Sequence, residues 1–165
     1  MRCYDEYTSP IGRLTMISDG ESLIGLRFDG QKYSDAEKGE WVTENPPAVF
    51  VSVKKWLDEY FGGKAPDFTP KIDFGGASDF RKTVWKILLE IPCGETTTYG
   101  AIAKRVEAET KKRVSAQAVG GAVGHNPVAI IVPCHRVIGS RGNLVGYAGG
   151  LDKKSKLLQI EDVSL

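Results

Sequence analysis

The chain has 165 residues, 41% hydrophobic and 26% charged, with 22 Lys+Arg against 21 Asp+Glu. That suits one ordinary domain or two small ones with a real core, and it excludes a disordered tail, a collagen-like chain and a small disulfide scaffold. No apolar run nears the roughly 20 residues that span a bilayer, and a formal charge of +1 argues at first sight against a nucleic-acid binder.

Charge is uneven along the chain. Residues 1–77 carry 9 Lys+Arg and 13 Asp+Glu, a net of −4, whereas residues 78–165 carry 13 and 8, a net of +5. The segment D-F-G-G-A-S-D, Asp73 to Asp79, has a glycine pair and helix-start residues, so two domains, 1–77 and 78–165, are expected. A basic second half hints at a polyanion surface, and two lobes attracting each other fit the same counts. The opening M-R-C-Y-D-E-Y-T-S-P has no signal-peptide core, and three cysteines (Cys3, Cys93, Cys134) are an odd number. Free thiols in a cytoplasmic protein are the expectation. With no C-x-x-C or H-x-x-x-H pair in the sequence, no metal site is expected.

In the first half, runs at 2–7, 12–18 and 22–28 alternate apolar and polar residues between turn signals at Ser9-Pro10-Ile11-Gly12 and Asp19-Gly20. They predict a β-meander. Val49, Val53, Trp56, Leu57 and Tyr60 predict a helix over about 47–61, ended by Gly62-Gly63. Nothing here joins a nucleophile to a base, so this half reads as a supporting lobe.

The second half opens with a helix expected near 80–91, where Phe80, Val84, Leu88 and Ile91 form a stripe after Ser78/Asp79 caps and Pro92 stops it. A second helix near 99–107 follows the N-cap Thr98 and buries Ile102, Ala103 and Val106; a third runs from Ser115 to about His125, ended by Asn126-Pro127. With Lys111-Lys112-Arg113 before the third, the pair fits a helix-turn-helix, as it would any helical pair with a basic connector. Gly120, Gly121 and Gly124 each cost the third helix about 1 kcal/mol relative to alanine. They imply a close backbone approach to another helix or to a nucleic-acid groove.

Residues 128–138, V-A-I-I-V-P-C-H-R-V-I, read as a buried strand broken at Pro133, with Cys134 and His135 immediately after. A cysteine reacts as thiolate and needs a base or a positive field nearby. Neighbouring residues point apart on a regular element, so Cys–His contact requires a tight turn or a water relay. From Gly139 to Gly150 five glycines fall in twelve residues, giving either many turns or a backbone that a ligand approaches. No P-loop ending follows, so a nucleotide phosphate cradle is not expected. The run L-D-K-K-S-K-L-L-Q-I-E-D predicts a final helix capped by Asp152. Glu161 lies four residues after Leu157 on the apolar face, a candidate orienter for His135. A surface glutamate at a fraying helix end fits the spacing slightly better.

Four blocks then align: Tyr99-Gly100-Ala101-Ile102-Ala103; Ala118-Val119-Gly120-Gly121-Ala122 with Asn126-Pro127; Pro133-Cys134-His135-Arg136-Val137; and Gly146-Tyr147-Ala148-Gly149-Gly150. In order and spacing, over essentially all of 78–162, the chain resembles the O6-alkylguanine-DNA alkyltransferase (methylated-DNA–protein-cysteine methyltransferase) family. The first half resembles it only in size and strand–helix order. The resemblance implies an α+β fold: an RNase-H-like lobe, then a winged-helix-like lobe that binds DNA and accepts the alkyl group.

It further implies that Cys134 attacks the alkyl carbon on guanine O6, with O4-alkylthymine as a second substrate. His135 takes the thiol proton through a water, Glu161 holds the imidazolium, and Asn126 braces the turn. Tyr99 hydrogen-bonds the departing base, the carbonyls of Cys134 and Val137 accept from its exocyclic amine, the amide of Ala148 donates to O6, and Tyr147 forms a pocket wall. Backbone groups would thus read a flipped base. Each molecule would act once, as a monomer and without a cofactor. The partner implied is double-stranded DNA carrying O6-alkylguanine, met in the minor groove by Gln117, Ala118, Gly121 and Ala122, with Arg113 and Arg136 as basic contacts.

Three departures stand out. Gln117 occupies a position where the family usually has an arginine that replaces the extruded nucleotide. Gly124 occupies one that is often basic. The connector E-A-E-T-K-K-R, Glu107 to Arg113, is longer than usual, which gives Arg113 a route to compensate. A lesion binder that does not repair would be expected to lack Cys134. A cysteine hydrolase would need an oxyanion device that no motif supplies, and a plain transcription regulator would leave the thiol and its partners unexplained.

Overall fold

The computed structural model describes residues 2–30, 40–41 and 45–163. It forms two compact units, Met1–Gly75 with Pro127–Ala129, and Gly76–Asn126 with Ile130–Leu165. The sequence division at residue 77 assigns Pro127–Ala129 to the second half. In the structure they belong to the first unit, because the amide of Leu26 donates to the Pro127 carbonyl at 2.9 Å and the amide of Ala129 to the Leu26 carbonyl at 2.9 Å.

In the first unit, β1 (Cys3–Ser9), β2 (Gly12–Ser18) and β3 (Leu23–Phe28) form the antiparallel meander, and β4 (Glu40–Trp41) pairs parallel to β1. The sheet order is β3-β2-β1-β4. β1 extends two residues beyond the predicted run because Ser9 pairs with Gly12 across the turn. Alternation buries Tyr4, Leu14, Met16, Leu26 and Phe28, as the period of two requires. Helix α1 (Ala48–Phe61) buries Val49, Phe50, Val53, Trp56, Leu57 and Tyr60.

In the second unit, α2 (Asp79–Leu89), α3 (Tyr99–Thr110) and α4 (Ala116–Gly124) each begin at an expected cap. Ser78, Thr98 and Ser115 accept from the amides of Arg81, Ala101 and Ala118 at 3.2, 3.1 and 3.0 Å. Each bond satisfies an orphan donor of the first turn. α2 ends at Leu89, so Ile91 lies past the helix. α3 runs to Thr110, three residues past the predicted end, and Lys111 closes it in the left-handed region at φ 61°. The Trp85 indole donates to the Ala122 carbonyl at 2.8 Å, tying α2 to α4.

The stretch Val128–Ile138 is buried throughout, but it is not the expected strand. Ile130 has φ 69°, a region a β-branched residue seldom occupies, and the backbone turns there. Only β6 (Val137–Ile138) is extended, parallel to β5 (Thr97–Thr98). Helix α5 (Leu151–Ile160) has Gly150, not Asp152, at its N-cap. Gly150 takes φ 100° there, while Asp152 sits in the first turn and pairs with Lys156 at 3.2 Å. Among the described residues no helix is long and apolar enough to cross a membrane.

Candidate active site

Cys134, His135 and Arg136 form a 3-10 turn after Pro133. The Cys134 amide donates to the Val132 carbonyl at 2.8 Å and that of Arg136 to the Pro133 carbonyl at 3.0 Å; the Val137 amide closes on the Cys134 carbonyl. This is the tight turn that an adjacent cysteine and histidine require. Asn126 braces it, donating from Nδ2 to the Val132 carbonyl at 2.8 Å. Burial pushes the Cys134 thiol up, opposed by a hydrogen bond with Asn126 and by the charge of Lys154. The net direction is upward, so the thiol keeps its proton at rest.

Glu161 holds the other end of the site. Its side chain is 1% exposed, so it is not a fraying surface glutamate. Oε2 meets His135 Nε2 at 2.5 Å. Oε1 accepts from Arg136 Nε at 2.7 Å and from the Gly94 amide at 3.0 Å. Burial alone would raise this carboxyl, but His135 and then Arg136 outweigh it and hold it well below the usual carboxylate range. Burial lowers His135 despite the attraction of Glu161. A neutral imidazole beside an ionised carboxylate puts its proton on Nε2, leaving Nδ1 the basic nitrogen.

Two tyrosines complete the surroundings. The Tyr99 hydroxyl, at the first residue of α3, donates to the Val145 carbonyl at 2.9 Å. The Tyr147 hydroxyl is buried with no hydrogen-bond partner among the described residues. Burial raises both phenols, as does Cys134 once it is ionised, so both stay protonated near the sulfur. Ala148 is half-buried beside Tyr147.

One residue of this cluster escaped the sequence reading. Lys154 is 0% exposed, and its Nζ donates to the carbonyls of Val137, Val145 and Gly146 at 2.6, 2.9 and 3.0 Å. The only trace in the sequence is its spacing, seven residues before Glu161 on one helix face.

On α4 the structure separates the residues expected to meet DNA. Gln117, Ala118 and Gly121 are exposed, and so is Arg113 on the connector before them. Ala122 is buried with its carbonyl on Trp85, so it faces the core and not a groove. Arg136 is also buried; its guanidinium is spent on Glu161 and on the Ile91 carbonyl at 2.6 Å, which removes it from any DNA surface. A Cβ at Gly121 or Gly124 would meet nothing within 4 Å, so internal packing does not demand glycine there. A cavity of about 720 Å³ opens beside the connector, between Phe80, Val106, Arg113 and Ala118, away from the thiol.

The DNA-binding domain profile of 6-O-methylguanine DNA methyltransferase matches residues 79–163, and the ribonuclease-like domain profile of the same family matches 3–74. A methylated-DNA–protein-cysteine methyltransferase of Mycobacterium tuberculosis is 44% identical over 158 residues, spanning 96% of this chain and 91% of that one. Its counterpart in Methanosarcina mazei is 45% identical over 162 residues, spanning 98% of each. The crystal structure of M. tuberculosis OGT in complex with DNA superposes with a TM-score of 0.82 at 44% identity, covering 96% of this chain and 92% of that one. The O6-methylguanine-DNA methyltransferase of Pyrococcus kodakaraensis superposes with a TM-score of 0.66 at 26% identity, covering 99% and 100%.

Proposed function

The chain belongs to the 6-O-methylguanine DNA methyltransferase family, and on that premise we propose that it repairs DNA by direct reversal, moving the alkyl group of O6-alkylguanine irreversibly onto Cys134. One observation carries the assignment to these residues. A buried thiol bonded to Asn126 stands next in chain to a neutral imidazole whose Nε2 is held by an ionised Glu161 at 2.5 Å.

In the reaction, His135 Nδ1 takes the thiol proton through a water. The sulfur–carbon bond forms as the carbon–O6 bond breaks, and guanine leaves with that electron pair and gains a proton. The proton lost by sulfur and the one gained by the base balance. Tyr99 turns its hydroxyl from the Val145 carbonyl to the base and stabilises the developing charge. The carbonyls of Cys134 and Val137 each carry one internal bond, from the Val137 amide and from Lys154. A second lone pair on each remains for the exocyclic amine. The Ala148 amide serves O6, and Tyr147 closes the pocket. A thioether does not revert, so each copy acts once, and a single copy supplies every group.

DNA is the partner, and the exposed small residues of α4 suit a narrow groove. Gln117 stands where a flipped nucleotide would leave a gap, and Arg113 supplies charge from the connector. Gln117→Arg is expected to tighten binding to a lesion duplex and to steepen the plot of log affinity against log salt by about 0.9. Fluorescence anisotropy at several salt concentrations reads this, and an unchanged slope removes Gln117 from the interface.

The test of the function is incubation with a duplex bearing one O6-methylguanine, followed by intact mass and peptide mapping. One methyl group on Cys134 is expected. A bound lesion with no mass change would instead make the protein a non-repairing lesion binder. Transfer from free O6-benzylguanine but not from duplex would place the failure at the Gln117 step.

A further inference from the structure

The stretch 91–94, just after α2, grips both members of the buried ion pair. The Ile91 carbonyl accepts from Arg136 Nη1 at 2.6 Å, and the Gly94 amide donates to Glu161 Oε1 at 3.0 Å. An acceptor thus meets the cation and a donor meets the anion. Glu161 is the C-cap of α5, with Asp162 left-handed after it at φ 59°, so the chain leaves the helix at the residue whose carboxylate must be aimed. Its partners His135 and Arg136 come from one 3-10 turn. Gly94 reaches it from outside that turn.

The direction of the Gly94 amide follows from its backbone. The Glu95 amide donates to the Pro92 carbonyl at 3.1 Å, closing a β-turn over 92–95 with Cys93 and Gly94 as its central pair. Gly94 has φ 87°, and Cys93 is not among the residues of positive φ, which makes the turn type II. In that type the peptide between the central residues is turned over relative to type I, and here its N–H meets Glu161. A residue that avoids positive φ favours type I, which would present the Cys93 carbonyl to the carboxylate instead. Space is not the constraint, since a Cβ at Gly94 would stand 3.4 Å from the Glu161 main-chain oxygen. Gly94 is exposed, so a substitution there removes nothing from the core.

We propose that Gly94 is a positioning residue of the alkyl transfer: its left-handed conformation turns the peptide over so that the amide holds Glu161 Oε1 and leaves Oε2 set on His135. With Oε1 fixed by Gly94 and Arg136, the carboxylate does not rotate, and the imidazole keeps its proton on Nε2 and its basic nitrogen at Nδ1. The titratable and charged groups around this carboxylate are His135 and Arg136 of the 3-10 turn and Cys93 of the β-turn, with Cys134, Tyr147 and Lys154 beyond them. The consequence for transfer rests on the function proposed above, whereas the hold on the His135–Glu161 pair concerns the reactivity of the thiol itself.

The test compares wild type with Gly94→Ala and Gly94→Asn. Both variants add the same Cβ, and only asparagine tolerates the left-handed region. Single-turnover methyl transfer from an O6-methylguanine duplex is followed against pH, beside iodoacetamide alkylation of Cys134 read by peptide-resolved mass spectrometry. In Gly94→Ala both rates are expected to fall about tenfold at neutral pH, and the loss to shrink in alkali, where hydroxide takes the thiol proton without His135. Gly94→Asn is expected to stay within about twofold of wild type. A folded Ala variant with the wild-type rate at every pH overturns the proposal, as do Ala and Asn variants slowed alike. A loss of the same size at every pH also overturns it, because a merely structural defect gives that profile. Iodoacetamide needs no DNA, so absence of methyl transfer in wild type would sink the functional reading while the effect of Gly94 on Cys134 stays measurable.

If the Ala variant does not fold, amide exchange in wild type decides. Gly94 lies at the surface, where an amide exchanges freely unless it is held. Protection of the Gly94 amide comparable to that of the α2 amides is the expected result. Free exchange at Gly94 overturns the hold on Glu161 and the proposal with it.

Discussion

Cys134→Ala ends alkyl transfer completely and leaves the lesion duplex bound. The sulfur is the nucleophile, and nothing else near it can take its place. The Asn126 bond to the Val132 carbonyl persists, so the turn keeps its brace. The stability cost is that of removing one buried atom, about 1 kcal/mol. Intact mass after incubation reads the first effect, a thermal melt the second and anisotropy the third. Residual transfer mapped to Cys93 would overturn the assignment, since that thiol is exposed and is the accessible competitor. Although the residue lies at the surface, partial desolvation of its sulfur and then Glu161 push the Cys93 thiol up, so it offers no ready thiolate.

Glu161→Gln damages both chemistry and stability. A carboxylate accepts from His135, Arg136 and Gly94 together, but an amide offers one oxygen and two donors. Arg136 is left buried without a counter-charge, and such breakage costs about 3–5 kcal/mol. The imidazole is no longer held with its proton on Nε2, so general-base assistance at Nδ1 is lost and transfer slows by about 100-fold or more.

The pH signature follows from the direction of the shift. Glu161 is held below its unfolded value of 4.5. The stability it contributes is complete above that value and is lost as pH falls through the folded one. Melts from neutral to acid should show wild type losing stability more steeply than Glu161→Gln. Parallel acid limbs would mean that the carboxylate is not what holds this cluster.

Much of the fold is written locally. Ser78, Thr98 and Ser115 cap their helices because a hydroxyl before an apolar stripe satisfies the first-turn amides, and the meander follows from simple alternation. Cys134 and His135 stand out because a reactive thiol needs a base, whereas Asn126 as a brace enters only through the family resemblance. The errors fall where distant parts of the chain decide. Five apolar residues from Val128 predict a strand, yet a β-bridge to Leu26 and a left-handed Ile130 break the ladder. Arg136 reads as a DNA contact until Glu161 and the Ile91 carbonyl claim it. Lys154 is one of three lysines in D-K-K-S-K, and nothing in the sequence sets it apart. Its burial depends on carbonyls 8, 9 and 17 residues upstream, and no periodicity reports that.

The glycines of the second unit carry an evolutionary consequence. Gly100, Gly121 and Gly124 have open space where a Cβ would stand, and all three lie in helices that alanine would favour by about 1 kcal/mol each. The free protein is therefore less stable than its own backbone would allow. A selection for heat resistance alone would fill these positions readily.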